Sequence, residues 1–452
     1  MLPNQFLASI QYTKGFDASK FKAVHEAEEQ VTSVRINPFK NNSTKNIEDL
    51  LAGNIPWCEH GYYLSERPSF TFDPSFHAGA YYVQEASSMF VWQIMQQLFG
   101  EHTNKKVLDV CAAPGGKSTL LASYFTDGMV VSNEVIKSRA AILVENITKW
   151  GMPNVVVTNN DPKDFTALNN FFDAIVVDAP CSGSGMFRKD ADAANEWSLN
   201  NVALCSQRQQ RIVADVLPAL QTDGFLVYST CSYSKEENED VLDWIIATFN
   251  LTSVPLNIDS TWGIVETESD IEHAKGYRFY PYNLKGEGFF IAVLQKATAE
   301  KEVKLKQQSL LLPSKQEVDI LQSFLPVQPA FSLFKHATQI RLLDHSFLND
   351  LKTLANYLYI KKAGLCIGEV KGKDLVPHHE LAVSTLNLSN IASVSFTNEQ
   401  ALQYLRKQEL VIDTTVKGWV LATLNGLGLG WLKVLPNRYN NYYPQEWRIL
   451  KD

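Results

Sequence analysis

The sequence predicts an α/β protein: a mostly parallel sheet covered by helices, preceded by a smaller α/β piece and followed by a strand-rich region. Three observations carry this expectation. Between residues 76 and 297, short apolar runs alternate with helix-length segments, as in a parallel sheet with crossover helices. Before that stretch, Pro38, Pro56, Pro68 and Pro74 interrupt short helical and strand-like pieces. After it, the polar, charged stretch Ala297–Ser309 leads into short strands and Gly-rich turns.

The expected central strands are Lys106–Val110, Met129–Asn133, Val155–Thr158, Ala174–Asp178, Gly224–Ser229 and a late Phe289–Leu294. A chain of 452 residues exceeds one ordinary domain. The expected divisions are 1–75, 76–297, a linker at 298–312, an intermediate region at 313–385 and a final domain at 386–452. No internal repeat is visible.

With 45% hydrophobic and 11% aromatic residues the chain can bury a sizeable core. No apolar run reaches the roughly 18 to 20 residues of a membrane-spanning helix, so no membrane partner is expected. The N-terminus, Met1-Leu2-Pro3-Asn4-Gln5, lacks the basic-then-apolar pattern of a signal peptide, and a cytoplasmic protein is expected. The six cysteines form no C-x-x-C pair and are too sparse for a disulfide framework, so neither a metal site nor an oxidising compartment is expected. A formal charge of −8 argues against a protein coated for polyanions. Residues 401–452 nevertheless hold seven Lys or Arg against four acids, a weak hint of a basic C-terminal face.

Val107-Leu-Asp-Val110 reads as a buried strand, and Cys111-Ala112-Ala113-Pro114-Gly115-Gly116-Lys117 follows it into a helix over Ser118–Tyr124. Small residues at such a turn let a ligand approach the backbone, and the helix N-terminus offers free N–H groups. Two readings are open. One is a phosphate loop of a nucleoside triphosphatase with a single mismatch, Cys111 in place of the first glycine, and Asp178 as its strand acid. The other is an adenosyl-type ligand, favoured because Glu134 ends the next strand, 18 residues after Gly116, where an acid grips ribose hydroxyls. Asp161, after the third strand, is open between an adenine contact and a helix cap; Arg139 is open between a surface charge and a support for Glu134.

Asp178-Ala-Pro-Cys181-Ser-Gly-Ser-Gly follows the fourth strand and Ser229-Thr-Cys231-Ser follows the fifth. Adjacent strand ends would bring the two thiols to one crevice, although a lone cysteine is ordinarily a small buried hydrophobe. The combination suits chemistry at carbon 5 of a pyrimidine, a poor nucleophile until a thiolate adds to carbon 6. An acid such as Asp178 can hydrogen-bond the ring and stabilise the charge that accumulates there.

These motifs resemble the RsmB/RsmF group of RNA 5-methylcytosine methyltransferases, and within it the RsmF-type ribosomal RNA enzymes. The resemblance rests on Cys111–Lys117, Asn133-Glu134 with Arg139, Asp178–Gly185, and Ser229-Thr-Cys231-Ser with Glu237-Asn238-Glu239. Ser33-Val-Arg35-Ile-Asn37-Pro38, Tyr81–Met89 and Arg278–Phe290 carry it over most of the remaining chain; Tyr282 stands where a histidine often follows the proline. The resemblance implies a Rossmann-like methyltransferase core, an N-terminal RNA-binding domain and a C-terminal PUA-like RNA-binding barrel. It implies S-adenosylmethionine as cofactor, held by Cys111, Ala112, Ala113, Pro114, Gly115, Gly116, Lys117, Glu134, Arg139, Asp161 and Asp178. Cys231 is then the nucleophile, Cys181 aids release of the methylated base, and Asp178 serves both base and cofactor. Small-subunit ribosomal RNA is the expected substrate, with tRNA as the alternative, and a monomer is expected. Trp419, Trp431, Tyr439, Tyr442 and Tyr443 are open between stacking on bases and ordinary core packing.

Overall fold

The computed structural model describes residues 2–3, 5–27, 29–297, 303–412 and 415–450. Residues 298–302 of the expected linker lie outside the described residues, as do Met1, Asn4, Asp413, Lys451 and Asp452. Near the N-terminus, β1 (Thr32–Ile36), β2 (Leu51–Asn54), β3 (Gly61–Leu64) and β4 (Tyr81–Val83) form an antiparallel sheet in the order β2-β3-β1-β4. β4 lies beyond the expected boundary at residue 75 yet belongs to this sheet, because it pairs with β1 and sets Val83 opposite Val34.

The core strands are β5 (Lys106–Asp109), β6 (Met129–Asn133), β7 (Val155–Thr158), β8 (Phe172–Asp178), β9 (Leu220–Thr230), β10 (Leu251–Ser253), β11 (Val265–Glu268), β12 (Lys275–Phe279) and β13 (Phe289–Lys296). β9, β8, β5, β6 and β7 run parallel, and β13 joins β9 antiparallel. β6 and β7 are buried along their whole length, as a sheet covered on both faces requires. β8 and β9 begin earlier than expected, at Phe172 and Leu220. The ladder pairs those two residues across a register shift, and the polar Asp173 and Gln221-Thr-Asp-Gly224 disguised the extension.

Helices Val91–Phe99, Gly116–Tyr124 and Lys137–Trp150 bury Met95, Leu121, Leu143 and Ile147 against one face. Helices Leu199–Val216 and Glu239–Phe249 bury Val213, Val216 and Ile245 against the other. Among the described residues no helix is long and apolar enough to cross a membrane.

The C-terminal region adds β14 (Phe331–His336), β15 (Gln339–Asp344), β16 (Ile360–Ala363), β17 (Leu365–Lys371), β18 (Asp374–Pro377), β19 (Ser393–Ser395), β20 (Gly418–Leu424), β21 (Leu427–Leu435) and β22 (Arg438–Asn441). β14-β15-β17-β18 form one sheet and β19-β20-β21-β22 another. β16 leaves its neighbours and pairs antiparallel with β7, closing that edge of the core sheet. The Asn160 carboxamide grips the peptide before it, accepting from Tyr359 N at 2.9 Å and donating to Tyr359 O at 3.1 Å. Where a barrel was expected, the described ladder has four strands, and helix Asn398–Arg406 packs Ala401, Tyr404 and Leu405 onto them. The same cluster takes in Val34, Ile36 and Tyr81, so the two ends of the chain share one core.

Trp431 and Tyr443 are core residues. Trp419 instead meets the exposed Tyr442 edge-on at 4.5 Å, with the Lys433 ammonium 5.1 Å from its ring.

Candidate active site

Register brings the two cysteine motifs together. β8 and β9 are parallel neighbours with Asp178 opposite Ser229, so both loops leave the sheet side by side at its carboxyl end. Gly185 N donates to Cys231 O at 2.7 Å, and Tyr233 N to Ser184 Oγ at 2.9 Å. This approach requires glycine at 185, since a Cβ there would stand 2.3 Å from Gly288 O and 2.7 Å from Cys231 O. The Cys181 and Cys231 sulfurs lie 2.9 Å apart.

A buried carboxylate holds the loops in that relation. Glu237 accepts from Ser182 N at 2.7 Å, from the hydroxyls of Ser182 and Ser232 at 2.5 Å each, and from Gln209 Nε2 at 3.2 Å. One side chain therefore ties the Cys181 loop to the Cys231 loop.

The glycine-rich turn after β5 reaches the same place. Gly115, with φ of 119°, caps helix Gly116–Tyr124 in the left-handed region. Arg139 donates to Ala113 O and Asn146 to Pro114 O, each at 2.8 Å, fixing the outer side of the turn. Lys117 Nζ lies 2.8 Å from Asp178 Oδ2, while Ser229 Oγ donates to Asp178 Oδ1 at 2.8 Å. From the N-terminal sheet, fully buried Arg35 donates to Gln84 Oε1 at 3.0 Å and to Thr119 Oγ1 at 2.5 Å, locking β4 over the turn. The resulting cavity has a volume of about 410 Å³. It is walled by Tyr82, Gln84 and Glu85 on one side, Asp109, Cys111–Pro114, Gly116, Lys117 and Asp178 on another, and Met186, Cys231 and Glu287–Phe289 on a third.

Burial sets the charge states. It pushes the Asp109 carboxyl up to about 7 against the opposing hydrogen bond from Ser118, and Asp109 Oδ1 has no partner. Burial also raises the Cys111 thiol, helped by Asp109, Asp178 and Glu134, so this cysteine stays neutral. Lys117 loses solvation on burial, but Asp178 more than offsets that, leaving its ammonium above the ordinary range. Cys181 is raised well above the usual thiol value by its contact with Cys231 and by burial, and keeps its proton.

Of the sequence-derived site residues, Cys231, Asp178, Lys117, Cys111, Ala112, Ala113, Pro114 and Gly116 meet on this one cavity. Cys181 adjoins it through Cys231. Gly115, Glu134, Arg139 and Asp161 are not on its wall. Glu134 is buried at the end of β6, accepting from Ile136 N at 2.8 Å with Arg139 at 3.6 Å. Asp161, in the turn that follows β7, accepts from Lys163 N at 3.2 Å and caps the short helix Pro162–Ala167.

Relatedness to known proteins agrees with this geometry. The ribosomal RNA small subunit methyltransferase F of Aliivibrio salmonicida is 30% identical over 468 aligned residues, spanning 98% of this chain and 97% of that protein. The chain belongs to the RsmF family. Its counterpart from Psychromonas ingrahamii is 31% identical over 409 residues, covering 87% of this chain and 84% of that protein. Family models match the 16S rRNA methyltransferase RsmB/F over residues 96–295, the N-terminal domain of 16S rRNA methyltransferase RsmF over 2–86, and the RsmF PUA domain over 392–449. A solved methyltransferase homolog from Pyrococcus horikoshii is 28% identical with a TM-score of 0.54, covering 64% of this chain and 93% of that one. As an RsmF-family protein the chain is an S-adenosylmethionine-dependent RNA methyltransferase.

RsmF membership removes the triphosphatase reading, and local geometry agrees. Lys117 is held by Asp178 and the Ser118 hydroxyl by Asp109 at 2.7 Å, leaving neither side chain free for a phosphate and its metal. Several site residues escaped the sequence reading of roles. Asp109 was hidden in a strand read as core, although an acid inside an apolar run was itself a signal. Arg35, Gln84 and Glu237 stood in family-like motifs without an assigned task. Glu287 likewise stood in the family-like Arg278–Phe290 stretch without an assigned task, and only the fold brings that stretch beside Cys231.

Proposed function

We propose that this protein methylates carbon 5 of a cytosine in small-subunit (16S) ribosomal RNA through a covalent bond from Cys231 to the base. The observation that carries this reading is the pair of thiols 2.9 Å apart at a cavity shared with the glycine-rich turn.

The cavity fits S-adenosylmethionine. Gly116 presents bare backbone, where a Cβ would already touch Gln84 Cδ and Tyr82 Cε1 at 3.4 Å. Asp109 Oδ1 is a buried acceptor without a partner, suited to the ammonium of the methionine part. Glu134 and Asp161, just beyond the carboxyl ends of β6 and β7, stand where ribose and adenine would be held in such a sheet. When bound, the cofactor supplies an electrophilic methyl group on sulfonium sulfur.

Cys231, as thiolate, adds to carbon 6 of the cytosine and makes carbon 5 nucleophilic. The Lys117 side chain lies on the wall of the same cavity as Cys231. Asp178, held by Lys117 and Ser229, positions the base, and the Lys117 ammonium on the same wall offsets the negative charge that develops on the ring. Once carbon 5 is methylated its proton passes to water, the electron pair of that C–H bond re-forms the C5–C6 double bond, and the Cys231–C6 bond breaks. Cys181, protonated and in contact with the departing sulfur, donates to the thiolate as it leaves. The N-terminal sheet and the PUA region supply RNA contacts, with the half-buried Trp419 and Lys433 and the exposed Tyr442 as the aromatic and basic set.

The test is transfer of labelled methyl from S-adenosylmethionine to 16S rRNA, intact small subunits and tRNA in parallel. Label recovered as 5-methylcytosine in ribosomal RNA or subunits is expected. Label only in tRNA would reassign the substrate, and label in another nucleoside would overturn the reaction.

A further inference from the structure

Four carboxylates line the cavity: Glu85, Asp109, Asp178 and Glu287. Glu85 accepts from Ser87 N, Ser88 N and Glu287 N. Asp178 is held by Lys117 and Ser229, and Asp109 has one oxygen on Ser118. Glu287 alone has neither oxygen hydrogen-bonded, although its side chain is 3% exposed. Buried acceptors are ordinarily satisfied, and an orphan on the wall of a cavity calls for a ligand.

The backbone around Glu287 is clamped from both sides. Its N–H donates to Glu85 Oε1 at 2.8 Å and its carbonyl accepts from Ser87 Oγ at 3.0 Å. The next carbonyl, of Gly288, presses against Gly185 in the loop that carries Cys181. The clamped residue thus lines the same cavity as the nucleophile. Arg188 and Lys189 approach at 3.7 and 3.9 Å, near enough to balance a negative charge without consuming its lone pairs. The Arg188 guanidinium donates elsewhere, to the Glu29 carbonyl.

We propose that Glu287 selects cytosine over uracil by accepting a hydrogen bond from the exocyclic amine of the target base. This rests on the reading of the cavity as a cytosine site. Thiolate addition at carbon 6 is equally open to uracil, so the chemistry does not itself discriminate. The two bases differ where cytosine carries an N–H donor and uracil a carbonyl acceptor. An ionised carboxylate only accepts, so it rewards the amine and repels the carbonyl. Asp178 already has one donor on each oxygen, whereas both oxygens of Glu287 have none. The rival ligand for Glu287 is the ammonium of the cofactor, but the free acceptor on the cofactor side is Asp109.

The test uses the full-length protein and 16S rRNA carrying 5-fluorocytidine or 5-fluorouridine at the modified position mapped with the wild type. Fluorine at carbon 5 blocks the final elimination, so the protein–RNA adduct accumulates and can be counted. Wild type should trap 5-fluorocytosine and discriminate strongly against 5-fluorouracil. Glu287→Gln, whose amide can donate to a carbonyl, should lose about 10- to 100-fold in the rate with cytosine and gain relative preference for uracil. Affinity for S-adenosylmethionine should be unchanged, which also reports that the variant is folded. An unchanged base preference overturns the proposal, and so does loss of cofactor binding, which would give Glu287 to the cofactor wall or to structure. Failure of wild type to trap 5-fluorocytosine would instead sink the cytosine reading.

Discussion

Replacing Glu237 by alanine should loosen the relation between the two thiols without touching the cofactor turn. The side chain is fully buried and takes four hydrogen bonds. After truncation the Ser182 and Ser232 hydroxyls, 3.4 Å apart, can pair with each other. Ser182 N–H and one N–H of the Gln209 amide, whose nitrogen still donates to the Pro180 carbonyl at 3.1 Å, are left without an acceptor in a dry interior. Each stranded donor costs about 1–3 kcal/mol, so the loss should be about 2–6 kcal/mol in urea unfolding. A residual shift of about 1 Å between Cys181 and Cys231 should lower kcat about 100-fold. KM for S-adenosylmethionine should barely move, because the turn after β5 hangs on Asp109, Arg139 and Asn146 instead. Methyl transfer on the folded variant at saturating cofactor separates the two effects. A stability loss below about 1 kcal/mol, or an unchanged kcat in Glu237→Ala, would refute the view that this carboxylate holds the thiols together.

Three further expectations follow from the site and its supports. Cys231→Ser should abolish both turnover and the covalent RNA adduct, whereas Cys181→Ser should let the adduct accumulate on denaturing gels; an adduct with Cys231→Ser would reverse the two roles. Asp109, raised from 3.8 to about 7 by burial, should make cofactor affinity fall as pH drops below about 7, because the cofactor ammonium favours the ionised form. Calorimetric titration across this range should find the dependence in wild type and none in Asp109→Asn. With the folded value above the unfolded one, Asp109 favours folding of the cofactor-free protein most at pH below 3.8, and that contribution is lost as pH rises through about 7. Asn160→Ala should cost about 1–3 kcal/mol for two lost hydrogen bonds and raise amide exchange in β7 and β16; unchanged exchange would mean the strand docks without this grip.

Much of the core was legible because its strands are buried on both faces. Continuous apolar runs such as Val155-Val-Val-Thr158 have few other stable uses, and the ends of β6 and β7 fall where expected. The pairing of Cys181 with Cys231 was legible for a related reason: strands adjacent in a parallel sheet must present their following loops together. Local pattern did not reveal what depends on distant contacts. β16 reads as an unremarkable Ile-Lys-Lys-Ala segment, and only its pairing with β7 gives it a place in the core sheet. Glu287 likewise looks like any loop acid until Glu85 and Ser87, some two hundred residues earlier, fix its backbone. Arg35 was visible as part of a motif, but a guanidinium buried 4.4 Å from the Trp150 ring could not be inferred from spacing.

The seam between β7 and β16 also bears on how the chain can be cut. Shortening it to the segment that holds every cavity-wall residue would bare the peptide groups of Val156–Thr158 along a flat, apolar strand. Such a fragment would retain its chemistry on paper yet recruit strands from its neighbours, and aggregation would compete with its folding. An active core alone is therefore best sought with the Ile360–Ala363 strand grafted back through a short linker, or with a charged residue placed on the exposed edge. Here the catalytic unit and its C-terminal extension are separable in sequence but share one ladder of hydrogen bonds, so the reach of a family model and the smallest piece that folds are different lengths.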